Sequence, residues 1–229
     1  MAEKMVFIAK NSNPYYEKII DYIYVPGFAP IQRKKNVVNL FESLRKEFPD
    51  SNALEISTKS DNELGKQLSA FNLRLGGYSV ESIFQSSKVF ADGSQYEFLI
   101  KESPLNAKRF IQKLPKQSII KFRYKGIEYP TNPKSLFYDF IYIKALYENI
   151  SVSKNLINYD IFTDIEFNYK KSINCQARAC AIFTYLLKNN KVDEYLNNIN
   201  LFKTLYYGEH SDTFTLFDFE EEENMSSGE

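Results

Sequence analysis

The stretch Leu68–Phe90 reads LSAFNLRLGGYSVESIFQSSKVF and organises most of what the sequence predicts about the fold. Gly76 and Gly77 interrupt it and predict a turn, since glycine adopts backbone conformations that other residues avoid. Ser79 follows at a position suited to the N-cap of a helix. Because the chain then has no proline or glycine until Gly93, we expect a helix after the serine.

One face of this predicted helix is apolar and a neighbouring stripe is polar. Glu81, Gln85 and Lys88 are spaced i, i+4 and i+7, which places them along one side of a helix. A carboxylate beside an amide and a lysine could hold a sugar or perform acid–base chemistry. The same spacing is also typical of an ordinary amphipathic helix with a charge pair on its surface. The residues predicted to face the core are Val80, Ile83, Phe84 and Ser87.

Other segments show helical or strand patterns, identified from apolar spacing, capping residues and turn residues. The predicted helices are 31–48 with Val37, Val38, Phe41 and Leu44 inward, 61–71 with Asp61 as the N-cap, 103–114, 135–148, and 171–187 with Ser172 as the N-cap. The predicted strands are 54–58, a hairpin at 119–129, 202–207 and 213–217.

These elements predict a mainly α structure with a small β-sheet, an α+β fold. The chain has 229 residues, which is enough to bury a substantial core. No internal repeat or domain boundary is visible, so we expect residues 1–217 to form a single domain. Residues 218–229 contain acidic residues and no base, which predicts a disordered acidic tail.

Charge is unevenly distributed in this chain, although its formal net charge is zero. The segment from Lys101 to Lys125 contains eight bases and one acid, Glu102. Such a run can lie along a phosphate backbone. It can equally be an ordinary solvated surface, and composition alone does not decide between the two.

The sequence lacks the residues that several classes of enzyme require. His210 is the only histidine and lies close to the acidic tail, so neither a Ser-His-Asp triad nor a Cys-His dyad is expected. Cys175 and Cys180 are five residues apart on a predicted helix, which disfavours a disulfide, and too few ligands remain for zinc. The glycine-rich motifs for dinucleotides and triphosphates are absent. We therefore expect no metal or organic cofactor.

Targeting signals are also not apparent. The first ten residues, MAEKMVFIAK, contain an acid and no long apolar segment, unlike a signal peptide. No apolar run approaches the roughly 18–20 residues that span a bilayer. We expect a cytoplasmic protein that does not interact with membranes.

Several blocks of the sequence resemble, in the same order, the NADAR superfamily (the YbiA-like N-glycosidases). LSAFN followed by SVESIFQSSKVF is similar to the family's LSNF-like segment and TVEHYFQAQK-like helix, and SPLNAKR at 103–109 resembles its SP-x-x-AKR segment. EISTKS at 55–60 and YDIFTDIEFNYKKSINCQARA at 159–179 resemble the narrower branch encoded beside DarT-type DNA ADP-ribosyltransferase toxins. The resemblance extends from about Pro26 to Leu187.

This resemblance implies an N-glycosidase that removes ADP-ribose from guanine in DNA and acts as the antitoxin of a DarT-like toxin. Its partners would be ADP-ribosylated DNA, with the modified base most easily extruded from a single strand, and the cognate toxin as a second candidate. One alternative is an N-glycosidase for phosphorylated ribosylamino-pyrimidines, as in riboflavin-related members, which needs no DNA. Another is a non-catalytic antitoxin that binds the toxin or the modified DNA.

The resemblance also implies catalytic residues. Glu81 matches the central carboxylate, which would stabilise an oxocarbenium-like ribose. Asp160 and Asp164 are candidates for a second carboxylate, although the family's tryptophan and glycine are missing here, and both could be loop or cap acids. Lys35 is the candidate for an amine that forms a Schiff base with an opened ribose, or it is a solvated charge at a helix entry.

Polar residues in the same blocks are candidates for substrate contacts. The set is Ser69, Asn72, Gln85, Lys88, Asn174 and Arg178. The first three suit ribose hydroxyls or the guanine edge. Asn174 and Arg178 suit a diphosphate, since a guanidinium pairs with phosphate oxygens. Lys108 and Arg109 suit a contact with the DNA backbone. Each of these residues also has an ordinary structural alternative, either capping or an intramolecular salt bridge.

Overall fold

A computed structural model describes residues 1–9, 14–27 and 29–207. The helices are α1 (Pro30–Glu47), α2 (Glu63–Gln67), α3 (Val80–Ser86), α4 (Pro104–Lys113), α5 (Leu136–Glu148), α6 (Ile150–Ser153), α7 (Gln176–Lys188), α8 (Val192–Asn197) and α9 (Ile199–Tyr207), with 3₁₀ helices at Glu97–Lys101 and Lys154–Asn158. The strands are β1 (Ala2–Ile8), β2 (Tyr16–Tyr22), β3 (Ala53–Glu55), β4 (Arg74–Leu75), β5 (Tyr78–Ser79), β6 (Lys88–Phe90), β7 (Ile119–Tyr124), β8 (Ile127–Tyr129) and β9 (Ile161–Thr163). The prediction of a mainly α structure with a smaller β component is confirmed.

The largest sheet has the strand order β2-β1-β9-β3. β1 runs antiparallel to both of its neighbours, whereas β9 and β3 are parallel. Side chains alternate across β1 as the period of a strand requires. Met5 and Phe7 join the main core, and Val6 and Ile8 join a smaller core under α1. The sheet therefore separates two apolar layers, and the loops at the ends of β3 and β9 emerge next to each other.

The main core is built on α5 and α7, which pack against each other. α5 is apolar on nearly all sides, as expected for a helix buried in the centre of a domain. Its Phe137 ring stacks on Phe122 of β7 with 4.7 Å between the centroids, and Phe84 of α3 lies against both rings. Burying each side chain of this size contributes on the order of 1.5–3 kcal/mol.

The turn predicted before α3 is present, and it joins two short strands that pair as a hairpin. Gly76 and Gly77 have φ angles of +58° and +86° and form the turn between β4 and β5, where other residues would be strained. Ser79 is the N-cap, since its Oγ accepts a hydrogen bond from the Ser82 backbone N–H at 3.0 Å. α3 ends at Ser86, however, and Lys88 lies in strand β6. The prediction that Lys88 continues the helical stripe of Glu81 was wrong, because β6 pairs with β7.

The late helix begins later than predicted. α7 starts at Gln176, and Cys175, with extended backbone angles, is its N-cap in place of Ser172. Asn174 therefore lies in the preceding loop and does not share a helix face with Arg178. The Ser172 backbone N–H donates to the Asn168 carbonyl oxygen in a turn of this loop, which is why Ser172 does not begin the helix.

Three further predictions about helix caps, core positions and strands were wrong. Asn62, not Asp61, caps α2 through its side-chain oxygen, and Val38 is 47% exposed because Leu40 fills the core position. The predicted strand at 202–207 is part of α9, where Phe202, Leu205 and Tyr206 form a buried face with helical spacing. The predicted strand at 213–217, His210 and the tail at 218–229 lie outside the described residues. In the part of the chain that the structure describes, no helix has the length and apolar character needed to cross a bilayer.

Gly65 provides a test of how closely α2 packs against the neighbouring chain. A Cβ at this position would collide with the Glu55 carbonyl oxygen and lie 2.6 Å from Ser60 Oγ. We expect Gly65→Ala to lower the free energy of unfolding by about 1–3 kcal/mol despite the higher helix propensity of alanine. Gln67→Ala, an exposed change in the same helix, should stay within about 0.5 kcal/mol of wild type. Urea denaturation of both variants measures this, and equal midpoints would contradict the close packing.

Candidate active site

A cavity of about 680 Å³ opens between α1, α3, α4 and α5 and the loops that follow α2, β3 and β9. This volume is in the range of sites that enclose small-molecule ligands. Of the candidates named from the sequence, those in the cavity wall are Glu81, Gln85, Ser69, Asp164, Asn174 and Lys108. Residues from distant parts of the chain thus meet in one place.

Glu81 lies in the first turn of α3 and is buried, with 7% of its surface exposed. Gln85, one turn further on, donates a hydrogen bond from Nε2 to Glu81 Oε1 at 2.8 Å. Lys88 Nζ in turn donates to Gln85 Oε1 at 2.8 Å. The lysine therefore orients the amide, and the amide orients the carboxylate. The predicted contact among these three residues exists, although Lys88 reaches Gln85 from β6.

Lys88 is itself in an unusual environment. Burial lowers its pKa to about 8, while the charge of Glu81 acts in the opposite direction. Its ammonium also lies 4.7 Å from the centroid of the Phe84 ring, a distance at which the ring face attracts a cation. The site thus contains a lysine that needs less free energy to lose its proton than a solvated lysine does.

Asp164 follows β9 and is the second buried carboxyl group in the cavity wall. Burial raises its pKa to about 7, and the nearby Glu55 carboxyl adds to this rise. The Lys4 ammonium, a hydrogen bond from Gln176 and the Glu166 backbone N–H, 3.0 Å from Oδ1, partly offset the effect. Near neutral pH a substantial fraction of Asp164 therefore carries a proton that it can donate.

Behind Asp164 lie two buried charged residues, Glu55 and Lys4, that the sequence did not indicate. Glu55 accepts hydrogen bonds from Ser57 Oγ at 2.6 Å, from Thr163 Oγ1 and from the Ile165 backbone N–H at 2.8 Å. Burial raises the pKa of Glu55 and lowers the pKa of Lys4. Lys4 Nζ donates to the Phe167 and Ile165 carbonyl oxygens at 2.6 and 3.0 Å. These bonds fix the loop that carries Asp164.

Gln176, the first residue of α7, joins the two halves of the site. Its side chain donates to Asp164, and its Oε1 accepts from the Ala70 backbone N–H at 2.8 Å. The Ala70 carbonyl oxygen accepts from the Glu81 backbone N–H at 3.0 Å. A continuous path of hydrogen bonds therefore connects Asp164 to the start of α3. Sequence reasoning missed Gln176, although it belongs to the quoted block at 159–179.

Two other predicted residues offer polar atoms to the cavity. Ser69 is buried and donates from Oγ to the Lys66 carbonyl oxygen at 2.7 Å, so its oxygen can still accept. Asn174 Oδ1 is buried and has no hydrogen-bond partner among the described residues. Because an unpaired buried acceptor costs about 1–3 kcal/mol, Asn174 is suited to receive a donor from a ligand.

The outer part of the cavity is rich in bases. Arg33, at the start of α1, lines it and forms a salt bridge with Glu166. Lys59 and Lys171 also line it, and neither forms a salt bridge with another described residue. Lys108 completes this set, with its ammonium 5.9 Å from the centroid of the Phe71 ring. The arrangement combines buried carboxyl groups with a cationic rim.

The remaining candidates lie outside the cavity wall. Lys35 and Asn72 are exposed, and Asn72 donates to the Lys66 carbonyl oxygen at 2.9 Å. Asp160 accepts from the Asn52 backbone N–H at 3.2 Å and is 3.6 Å from Lys188. Arg109 is exposed on α4.

Arg178 is buried and pairs with Asp139 of α5, with 3.0 Å between Nε and Oδ2. Tyr206 donates to the same oxygen at 2.7 Å. In this structure the guanidinium therefore neutralises a buried carboxylate that joins α5, α7 and α9.

Besides Gln176, sequence reasoning missed Arg33, Lys59, Lys171 and Tyr138. Lys59 stands in the quoted block EISTKS, and Arg33 is two residues before Lys35, so both lie within segments that had been singled out. Tyr138 is one aromatic residue among many in α5, and no sequence signal distinguishes it. Burial raises its pKa well above the usual value, with Glu81 and Asp164 adding to the rise, so its hydroxyl stays protonated.

The residues described contain no group of three or more His, Cys, Asp and Glu side chains arranged to hold a metal ion.

The raised pKa of Asp164 predicts a pH-dependent stability. The folded protein holds a proton on Asp164 that the unfolded chain releases above about pH 4, so this group's contribution to stability falls as pH rises from about 4 to about 7. The asparagine of Asp164→Asn does not titrate, so this variant does not lose stability in this way as the pH rises. Relative to wild type, its free energy of unfolding should therefore rise by on the order of 2–4 kcal/mol across this window and stay constant above about pH 8. Urea denaturation at several pH values measures the difference, which would be flat throughout if Asp164 titrated normally.

Gln176 can be tested as the link between the two halves. Gln176→Leu removes the donor to Asp164 and leaves the Ala70 N–H without an acceptor, so we expect a further rise in the Asp164 pKa and a loss of about 1–3 kcal/mol in stability. Gln176→Glu can still accept from Ala70 and should lose less stability, while a second carboxyl group also raises the Asp164 pKa. Carboxyl ¹³C NMR titration reports the pKa, and an unchanged value in both variants would contradict the link.

A family described as the DarT1-associated NADAR antitoxin matches residues 2–215, a range that includes the whole cavity wall. No curated protein matches the chain. The resemblance seen in the separate sequence blocks is confirmed by this nearly full-length match. The chain belongs to the DarT1-associated NADAR antitoxin family.

Proposed function

We propose that the protein is an N-glycosidase that removes ADP-ribose from guanine bases in DNA and so acts as the antitoxin to a DarT-like toxin. One observation carries the proposal. A single cavity contains two buried carboxyl groups, of which Asp164 has a pKa of about 7 and Glu81 accepts a hydrogen bond from Gln85. Cleavage of a glycosidic bond needs this combination of a proton donor and a group that stabilises positive charge on the sugar.

The shape and charge of the cavity suit ADP-ribose attached to a base. Its diphosphate would lie among Arg33, Lys59 and Lys171 at the rim, where guanidinium and ammonium groups pair with phosphate oxygens. Arg33 would release its salt bridge with Glu166 and pair with a phosphate oxygen instead. The ribose attached to guanine would then lie deeper, with Asn174 Oδ1 and Ser69 Oγ available to its hydroxyl groups.

Aromatic side chains complete the cavity wall. Phe71, Phe84 and Tyr138 line it, and the Phe84 and Tyr138 rings meet edge to face with 5.2 Å between their centroids. Phe71 is partly exposed near the opening and would stack on the guanine. These rings also exclude water from the two carboxyl groups, which strengthens electrostatic interactions in the site.

The proposed reaction proceeds by proton donation followed by attack of water. As the bond between ribose C1 and the exocyclic nitrogen of guanine breaks, Asp164 gives its proton to that nitrogen. The Glu81 carboxylate stabilises the oxocarbenium-like ribose. Water then adds to C1 and returns a proton to Asp164, which releases ADP-ribose and leaves an unmodified guanine.

Not every candidate residue enters this proposal. Of the two aspartates, we choose Asp164 because Asp160 lies outside the cavity wall. Lys35 lies outside the cavity wall, so an amine that attacks the ribose would have to come from a lysine in the wall, such as Lys59 or Lys108. Arg178 pairs with Asp139 in the protein core and is left out of the proposal.

Glu81→Gln tests the proposal directly. A short single-stranded oligonucleotide with one ADP-ribosylated guanine is incubated with each protein and weighed by mass spectrometry. We expect wild type to remove the mass of ADP-ribose and Glu81→Gln to react at least about 100-fold more slowly, because a neutral amide stabilises the cationic ribose poorly. Glu42→Gln, a change at an exposed glutamate of α1, is the matched control and should react like wild type.

The outcomes separate the proposal from its alternatives. An oligonucleotide left unchanged by wild type would overturn the glycosidase on this substrate. If Glu81→Gln then still protected cells that express the toxin, the protein would act by binding. Release of ribose from a ribosylamino-pyrimidine but not from DNA would indicate a small-molecule enzyme instead.

A further inference from the structure

Three aromatic rings form a cluster on the far side of α4 from the cavity. Phe110 of α4 contacts Phe98 at 5.3 Å and Tyr96 at 5.1 Å between ring centroids, and all three pairs of rings meet edge to face. Phe98, in the 3₁₀ helix at Glu97–Lys101, is 55% exposed. Among the described phenylalanines it is the only one exposed to this extent.

Basic side chains surround this cluster. Lys101, Arg109 and Lys113 are exposed, and none forms a salt bridge with another described residue. Lys101 follows Phe98 by three residues, and Lys113 follows Phe110 by three residues, so each lysine lies on the same side of its helix as a ring. α4 contains no acid, and the neighbouring acids are Glu97 and Glu102. We call Tyr96, Phe98, Lys101, Arg109, Phe110 and Lys113 the aromatic–basic surface.

The aromatic–basic surface adjoins the cavity through α4. Lys108 and Phe110 are two residues apart, so their side chains leave the helix on different sides. Lys108 lies in the cavity wall and Phe110 lies in the ring cluster. A helix is only about 10–12 Å across, a distance that a few nucleotides span. A strand with one base in the cavity would therefore reach the cluster.

We infer that the aromatic–basic surface binds single-stranded DNA next to the modified guanine, with a base stacked on Phe98 and phosphates near Lys101, Arg109 and Lys113. The inference rests on the proposed function for the position of the modified base. Its own evidence is the exposed Phe98 ring among lysine and arginine side chains that form no salt bridge with another described residue. Rings interleaved with basic residues are the arrangement that holds single strands without reading their sequence. A paired duplex has no free base faces to stack on Phe98.

Binding to an unmodified, fluorescein-labelled single strand of twelve nucleotides tests this inference by fluorescence anisotropy. Phe98→Ala should raise Kd at least about fivefold, the lower limit expected for one lost stacking contact. Phe98→Leu keeps the cluster filled and should show a similar loss, which separates stacking from folding. Tyr147→Ala removes an exposed ring that contacts Asp193 of α8 and should bind like wild type.

The phosphate contacts are tested by the salt dependence of the same binding. Replacing Lys101, Arg109 and Lys113 together by alanine should reduce the slope of log K against log salt concentration by about two. A duplex of the same length should bind more weakly than the single strand. Wild-type affinity in both Phe98 variants, equal affinity for the duplex, or no binding of the single strand by wild type would each overturn the inference.

Activity distinguishes failure of this inference from failure of the proposed function. Phe98→Ala should lower kcat/KM for the ADP-ribosylated oligonucleotide at least about fivefold and leave kcat/KM for ADP-ribosylated guanosine unchanged. An equal loss on both substrates would place the effect in the cavity and overturn the inference. A wild-type protein that binds the single strand but releases no ADP-ribose would refute only the glycosidase.

Discussion

Both backbone polar groups of Ala70 are used to hold the cavity together. Its N–H donates to Gln176 at the start of α7, and its carbonyl oxygen accepts from Glu81 at the start of α3. Since Gln176 also donates to Asp164, one residue, Ala70, connects the start of the helix that carries Glu81 to the partner of Asp164. The helices could pack without this link, but the carboxyl groups would not then have a defined relative position. Precise positioning of this kind is what a catalytic site requires.

The second constraint is the cost of burying charge. Lys4, Glu55 and Asp164 lie in the region where β1, β3 and β9 meet the cavity, and a buried charge is tolerated only when it is paired and hydrogen-bonded. Glu55 satisfies this through Ser57, Thr163 and the Ile165 backbone. The incomplete compensation at Asp164 leaves its pKa at about 7, which suits a proton donor at neutral pH. A site that is destabilised in this way is consistent with function, because packing alone would favour an apolar side chain here.

Basic residues on the surface are concentrated near the cavity. The formal charge of the chain is zero, yet bases gather at the cavity rim and along α4. Positive potential at the entrance of a cavity raises the local concentration of anionic ligands. The cavity thus separates a cationic rim from an interior with two buried carboxyl groups.

Local sequence signals predicted the elements that depend on local physics. The Gly-Gly turn, the Ser79 cap, α1, α4, α5 and the hairpin of β7 and β8 all follow from backbone conformations and apolar spacing that neighbouring residues determine. The chain's family membership was also predictable, because short blocks such as SVESIFQ keep their order. Predictions failed where contacts with a distant part of the chain determine the secondary structure. β6 pairs with β7, so α3 ends before Lys88, and the segment that buries Phe202 is the helix α9 and not a strand.

For the site, the sequence by itself determined that Glu81, Gln85 and Ser69 lie in segments close to one another along the chain. Only the tertiary structure decided that Asp164, and not Asp160, completes the cavity wall, that Arg33 lines it while Lys35 does not, and that Arg178 pairs with Asp139. The physical reason is that burial and pairing of a charged group depend on what packs against it from elsewhere in the chain. Two aspartates four residues apart look equivalent in sequence, but desolvation and the nearby Glu55 act on the one that folding places inside.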